Sequence, residues 1–429
     1  MDQDRRPPVV QQAVASSANG VAARASGAWR YRWTILGIAT FTQAASAFFV
    51  QGIGAMGLHL QRDLHLSTAQ LGLLISAAQL LPMAGLVVAG RLLDRHDERW
   101  VVGLGACLVG AALCAGSAVP GYASLLLVLL VVGAGYSTVQ PGGSKSVASW
   151  FDASQRGFAM GVRQAGLPLG GALASAVLPL VAGAFGWRAA LLTGGLVALL
   201  GAGGFMGLYR RPPARPPDPV DPRPGLRKRT HRETSLVTIV LSGTSLISVQ
   251  CGVGILTVLY LHERTSVEAG AAALVLVASQ GAGVAGRICL AAWSDRSGRG
   301  RYVAVMACMV AVIAGMSVLM TPLGRSPAAA CAVFVWLGFF GLGWYGPWVA
   351  YVTESAPPDR TGSVLGLAMA ANQIAIVLVP PGLGLLKDMT GGFSSAWGIL
   401  TAMTAAALIV TARGPGRTPA GRPAREPNR

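Results

Sequence analysis

Residues 79–95 read QLLPMAGLVVAGRLLDR, and residues 280–296 read QGAGVAGRICLAAWSDR. At a constant offset of 201, Gln79 meets Gln280, Gly85 meets Gly286, Asp94 meets Asp295 and Arg95 meets Arg296. Each stretch closes an apolar run of about 20 residues, enough for a helix to cross a hydrocarbon core. Each run ends in an Asp-Arg pair, which marks a return to water. A membrane-crossing helix with a charged end therefore occurs twice in one chain.

Working outward, the pattern multiplies. Apolar runs lie at about 33–56, 69–90, 100–119, 122–147, 157–182, 187–209, 235–261, 267–293, 302–322, 328–353, 362–386 and 393–412, each of spanning length. Over 429 residues, 53% are hydrophobic and only 12% charged, against about 25% charged in soluble domains. A soluble fold is excluded. The 57 glycines fit close helix approach in a membrane rather than phosphate loops. A Pro- and Arg-rich stretch, 210–234, divides six runs from six. Other matches keep the order: Gln51-Gly52-Ile53-Gly54 beside Gln250-Cys251-Gly252-Val253-Gly254, and Gly133, Gly135, Tyr136 and Pro141 beside Gly341, Gly343, Trp344 and Pro347. The expected fold is an all-α polytopic membrane protein, with twelve transmembrane helices in two pseudo-symmetric six-helix bundles. Duplicated halves of this kind place a binding site between them near the midplane.

The net charge of +17 comes from 31 Arg and three Lys against 17 acids. A nucleic-acid partner would require these on one folded face; instead they sit in the short stretches between apolar runs. They crowd the N-terminal tail, the 210–234 linker and the C-terminal tail. The opposite side holds only Arg62, Arg188, Arg264, Arg325 and Lys387. The positive-inside rule then makes both termini cytoplasmic, in a bacterial plasma membrane. The domain reading is a disordered tail (1–32), a six-helix bundle (33–209), a linker (210–234), a second bundle (235–412) and a second tail (413–429). The first 30 residues hold no apolar core, so they are not read as a cleavable signal peptide. All six cysteines fall inside apolar runs without a CxxC pair and read as packing residues. The expected oligomeric state is a monomer.

Gly90-Arg91-Leu92-Leu93-Asp94-Arg95 and Trp293-Ser294-Asp295-Arg296-Ser297-Gly298-Arg299 resemble the signature loop of the major facilitator superfamily. The second copy has Ala291 for the first Gly; the first has Asp97 and Glu98 where Gly and Arg are usual. The resemblance implies that Asp94, Arg95, Asp295, Arg296 and Arg299 latch helices at the cytoplasmic face. An Asp near a helix N-terminus is favoured by the dipole, and it pairs well with Arg. A narrower likeness runs from Trp150-Phe151 through Arg156-Gly157, Ala159 and Gly161 to Ala165-Gly166 and Gly170, similar to the monocarboxylate and oxalate-formate branch.

Charge at mid-bilayer costs about 2.5–3.5 kcal/mol or more, so intramembrane charges are informative. Arg287 stands eight residues before Asp295, about 12 Å deep at 1.5 Å per residue. A guanidinium grips a carboxylate with parallel hydrogen bonds, and the resemblance implies this role for an Arg at this place. Its alternative is a purely structural Arg bonded to helix carbonyls. Gln280 shares its face, as a second contact or an interhelical bond. Arg163 is a second anion contact or the partner of a gate residue. Lys145 lies nearer the cytoplasmic end and serves substrate, gate or interface. Trp344 and Tyr345, with Tyr136 as counterpart, either wall a pocket or pack. Asn372 and Gln373 are polar at mid-depth. Arg156, Pro141 and Pro347 read as gating or bending elements.

No Asp, Glu or His falls in the middle of a run. Where the proton-coupled relatives implied by the resemblance carry an Asp and a Lys, this chain has Gly283 and, roughly, Gln51. Uniport, anion exchange and a proton riding on the substrate all stay open. No GxSxG, GxxxxGK[ST] or metal-ligand spacing occurs, so no enzyme and no cofactor is expected. The expected function is alternating-access secondary transport of a small, monocarboxylate-like organic anion. An exporter of drugs or metabolites by proton antiport is the alternative, and a non-transporting receptor the remote one.

Overall fold

Every regular element among the described residues of the computed structural model (8–54, 56–66, 68–212, 236–297, 301–357 and 359–413) is a helix. In hydrocarbon a helix satisfies its own backbone, which an open strand does not. The elements are α1 (Pro8–Gly52), α2 (Gly57–Leu64), α3 (Thr68–Leu80), α4 (Pro82–Arg95), α5 (Glu98–Gly116), α6 (Tyr122–Trp150), α7 (Ala153–Leu208), α8 (Leu236–Thr265), α9 (Ala269–Arg296), α10 (Arg301–Met320), α11 (Pro327–Gly343), α12 (Tyr345–Ser355), α13 (Thr361–Thr390) and α14 (Ser394–Arg413). Among the described residues, eleven stretches are long and apolar enough to cross a membrane. Their outer surface is apolar: Leu180, Phe185 and Met389 are each about three-quarters exposed. Exposed apolar area on that scale belongs against lipid.

The 56 residues of α7 would measure about 84 Å as one rod, twice the thickness of a bilayer. The rod turns at Gly186, whose φ of 80° and ψ of 166° suit only glycine. The packing of α1 reports the fold-back. Gly166 and Gly170 of the first arm lie against the backbone of Thr40 and Ala44, so this arm runs parallel to α1. Gly201 and Gly194 of the second arm lie against Ala45 and Phe49, in descending order. Thr42 Oγ1 also donates to Gly201 O at 2.9 Å. The two arms are antiparallel neighbours.

Proline explains two other breaks. It lacks an N–H, and its ring clashes with the carbonyl four residues back. Pro82 ends α3 at Leu80, and Pro347 ends α11 at Gly343, leaving Trp344 at a junction. Pro141, also expected to bend its helix, lies inside an unbroken α6.

One boundary is corrected. Residues 1–32 read as a disordered tail, but α1 begins at Pro8. Proline suits the first helical position, and the following alanines are strong helix formers. The linker and C-terminal tail fall mostly on 213–235 and 414–429, outside the described residues.

Candidate functional site

Two helix pairs carry most of the contact between the N-terminal half and the C-terminal half, and both close at the end that bears the Asp-Arg loops. In the first, α4 meets α13. Gly90 abuts the Gly362 carbonyl and Gly366 the Leu86 carbonyl, so any Cβ would collide. Beyond them, Asp94 caps α13: it accepts from Gly362 N at 2.7 Å, Ser363 N at 2.8 Å and Ser363 Oγ at 2.6 Å. In the second pair, α9 meets the first arm of α7. Gly157 abuts the Ala291 carbonyl and Gly161 the Arg287 carbonyl. Asp295 accepts from Gly157 N at 2.8 Å and Phe158 N at 2.6 Å. Asp94 thus satisfies orphan N–H groups at the positive end of α13, and Asp295 accepts from the second turn of α7, each on a helix of the other half.

The cations of these latches are not the neighbours of the aspartates. Arg95 and Arg296 are exposed, and Arg299 lies outside the described residues. Arg301 pairs with Asp295 instead and donates to Glu354 at 2.7 Å and Ser294 at 3.1 Å. Arg156 reaches the same Glu354 at 3.4 Å. Lys145 stands 3.1 Å from Glu98 and 4.0 Å from Asp94, and also bonds the Leu93 carbonyl. At the surface, a 2.6 Å bond to Asp97 raises the affinity of the Arg211 guanidinium for its proton.

Above both seams lies a cavity of about 230 Å³. Its wall comes from α1, α3, α6, α7, α8, α9, α12 and α13, hence from both halves. Seven of its 16 lining residues are glutamines: Gln51, Gln79, Gln140, Gln164, Gln250, Gln280 and Gln373. Tyr136, Tyr345, Asn372 and Cys251 add polar or polarizable groups. Leu167, Ile247, Met369 and Ile376 supply the apolar share. Arg287 is the one charged lining residue. It is 5% exposed and donates through Nε to Leu342 O at 3.1 Å and through Nη1 to Gln164 O at 2.7 Å. Its guanidinium also lies 5.8 Å from the Tyr345 ring.

Several wall atoms are buried without a protein partner: Tyr136 OH, Gln164 Oε1, Gln250 Oε1 and both amide atoms of Asn372. Unpaired buried polar atoms are costly. Three of these five are acceptors by nature and two can donate, so the wall matches a solute with both hydroxyls and acceptor oxygens. An anionic oxygen belongs near Arg287, where three of five guanidinium N–H bonds stay uncommitted to the backbone.

Of the expected contacts, Arg287, Gln280, Tyr345, Tyr136, Gln51 and Asn372 come together on this wall. Arg163 and Trp344 do not reach it; both are fully buried. Arg163 bonds Ser144 Oγ, Gln43 Oε1 and the Val139 and Gln140 carbonyls, stitching α1, α6 and α7. Trp344 packs at the α11–α12 junction against Tyr345 and Trp348, at 5.0 and 5.4 Å between ring centroids. Cys251, read as a packing residue, is part of the wall. Gln140, Gln164, Gln250 and Gln79 were not singled out as contacts. The paired matches Gln51/Gln250 and Gln79/Gln280 carried the signal for two of them, since all four face the cavity.

The family model for the Major Facilitator Superfamily matches residues 36–380. An uncharacterized MFS-type transporter of Mycobacterium tuberculosis is 27% identical over 88% of this chain and 84% of its own length. A probable L-galactonate transporter of Escherichia coli is 26% identical over 45% of this chain and 42% of its own. Among solved structures, the fucose:proton symporter of Escherichia coli superposes with a TM-score of 0.67 at 16% identity, covering 87% of this chain and 97% of that one.

Proposed function

The chain belongs to the Major Facilitator Superfamily, and from that premise we propose that it carries a small, polyhydroxylated organic anion through the glutamine-lined cavity. It is a secondary transporter and not an enzyme. In this reading the two arms of α7 cross the membrane separately, which brings the crossings to twelve, in two bundles of six. Both termini and both Asp latches face the cytoplasm of a bacterial cell, following the excess of Arg on that side. Opening then alternates between the two ends of the cavity.

The observation that carries the substrate class is the wall itself. One guanidinium among eight neutral amides and two phenols suits one carboxylate on a body of hydroxyls. Glutamine both donates and accepts, as a hydroxyl does, so a sugar acid pairs along its length where a bare alkyl carboxylate leaves amides unpaired. The partial likeness to a probable L-galactonate transporter points the same way. A cationic cargo finds no carboxylate among the lining residues to pair with.

The test is uptake of labelled L-galactonate, D-gluconate and D-glucuronate by purified protein in proteoliposomes, with hexanoate as the hydroxyl-free control. The wild type is expected to move at least one sugar acid and to ignore hexanoate. Arg287→Ala is expected to lower that transport by at least about 30-fold, the size of losing a buried charged hydrogen bond. Unchanged sugar-acid uptake in a folded Arg287→Ala protein sinks the assignment.

A further inference from the structure

Arg287 has a second partner across the molecule besides any cargo. Its Nε is held within its own half by Leu342 O, but its Nη1 bonds Gln164 O on α7, in the other half. Directly beneath that bond, Gly161 and Gly157 place the α7 backbone against the carbonyls of Arg287 and Ala291. Backbone meets backbone here, with the Ala291 methyl beside Gly161, so the seam opens by moving α9 off α7. That motion breaks the Arg287–Gln164 bond at its upper edge.

What replaces the lost carbonyl is the question. Among the lining residues no carboxylate is present. The adjacent residue on α7, Arg163, brings a second fully buried guanidinium, which bonds only neutral groups among the described residues. The site therefore has positive charge in excess, and an empty carrier opening this seam strips a partner from a buried cation. A bound carboxylate supplies that partner before the carbonyl leaves.

We infer that the carrier passes between its two states readily only with an anion aboard, so that it exchanges one anion for another rather than accumulating anions by one-way uptake. This rests on the sugar-acid reading above. The charge argument is local: each unsatisfied bond to a buried charge slows the empty step by about tenfold or more.

The experiment uses the full chain in proteoliposomes with the membrane potential clamped by valinomycin and equal potassium. Uptake of labelled L-galactonate, D-gluconate or D-glucuronate is compared with and without the same unlabelled acid inside. Exchange is expected to exceed uptake into empty vesicles by at least about tenfold, and an inward proton gradient is expected not to close that gap. Thermal stabilisation by the same three acids is read in parallel. Equal rates into loaded and empty vesicles, with stabilisation present, overturn the exchange inference and leave the sugar-acid reading standing. Neither stabilisation nor movement with any of the three acids removes that reading and the inference with it.

Discussion

The α4–α13 seam and the α9–α7 seam follow one plan and differ at both ends. At the latch, Asp94 and Asp295 each accept two consecutive backbone N–H groups from a helix of the other half, Asp94 at the start of α13 and Asp295 one turn into α7. Yet Asp295 also holds Arg301, which Glu354 shares with Arg156 across the halves. Asp94 has only Lys145 at 4.0 Å, and that ammonium is closer to Glu98 of its own half. At the cavity edge, the first seam ends in an amide pair, Gln373 Nε2 to Gln79 Oε1 at 3.1 Å; the second ends in the Arg287 guanidinium. The two halves share the backbone geometry, and one copy carries the charge. On the reading proposed above, the charged seam is the one that senses an anion, while the neutral seam closes without reference to cargo.

The largest expected effect separates the two latches. Asp295→Ala leaves Arg301, 7% exposed, beside a missing carboxylate and is expected to destabilise by about 3–5 kcal/mol. Asp94→Ala removes bonds to one helix start and is expected to cost about 2 kcal/mol. Thermal unfolding in detergent measures both, and an equal or reversed order breaks the comparison. Next, Glu354→Gln weakens two charge-assisted bonds on the loaded side, with an expected loss of about 1–2 kcal/mol. At the cavity edge, Gln373→Leu is expected to cost about 1 kcal/mol and to keep transport within about fivefold of wild type. A loss as deep as that of Arg287→Ala would show that both seams sense cargo. Smallest is Arg211→Gln at the solvent-facing Asp97 pair, expected to leave thermal unfolding almost unchanged, with any small shift fading as salt is added.

Much of this was legible before any coordinates. The offset of 201 brought together Asp94 and Asp295, each of which latches a helix of the other half, and Gln79 and Gln280, which share one cavity. Arg287 could be placed at mid-depth because charge is scarce in the chain. What failed was rotation about helix axes. Arg163 and Gln164 are adjacent, and only packing against α1 and α6 decides that Arg163 turns inward to Gln43 and Ser144 while Gln164 faces the cavity. Trp344 aligned with Tyr136, but the Pro347 break shifts the phase and presents Tyr345. The latch cation was missed for another reason. Arg301 lies beyond the Asp-Arg loop in sequence, at the start of α10, and only the packing of α10 against α9 brings it to Asp295.

The amide wall has one more consequence. An amide has no proton to gain or lose between pH 5 and pH 8, and the lining residues include no Asp, Glu or His. For a fully ionised sugar acid, the cargo proposed above, a change of pH across that range therefore alters no charge on the Asp-, Glu- and His-free wall, and the grip on such a cargo would stay the same from acid to neutral surroundings.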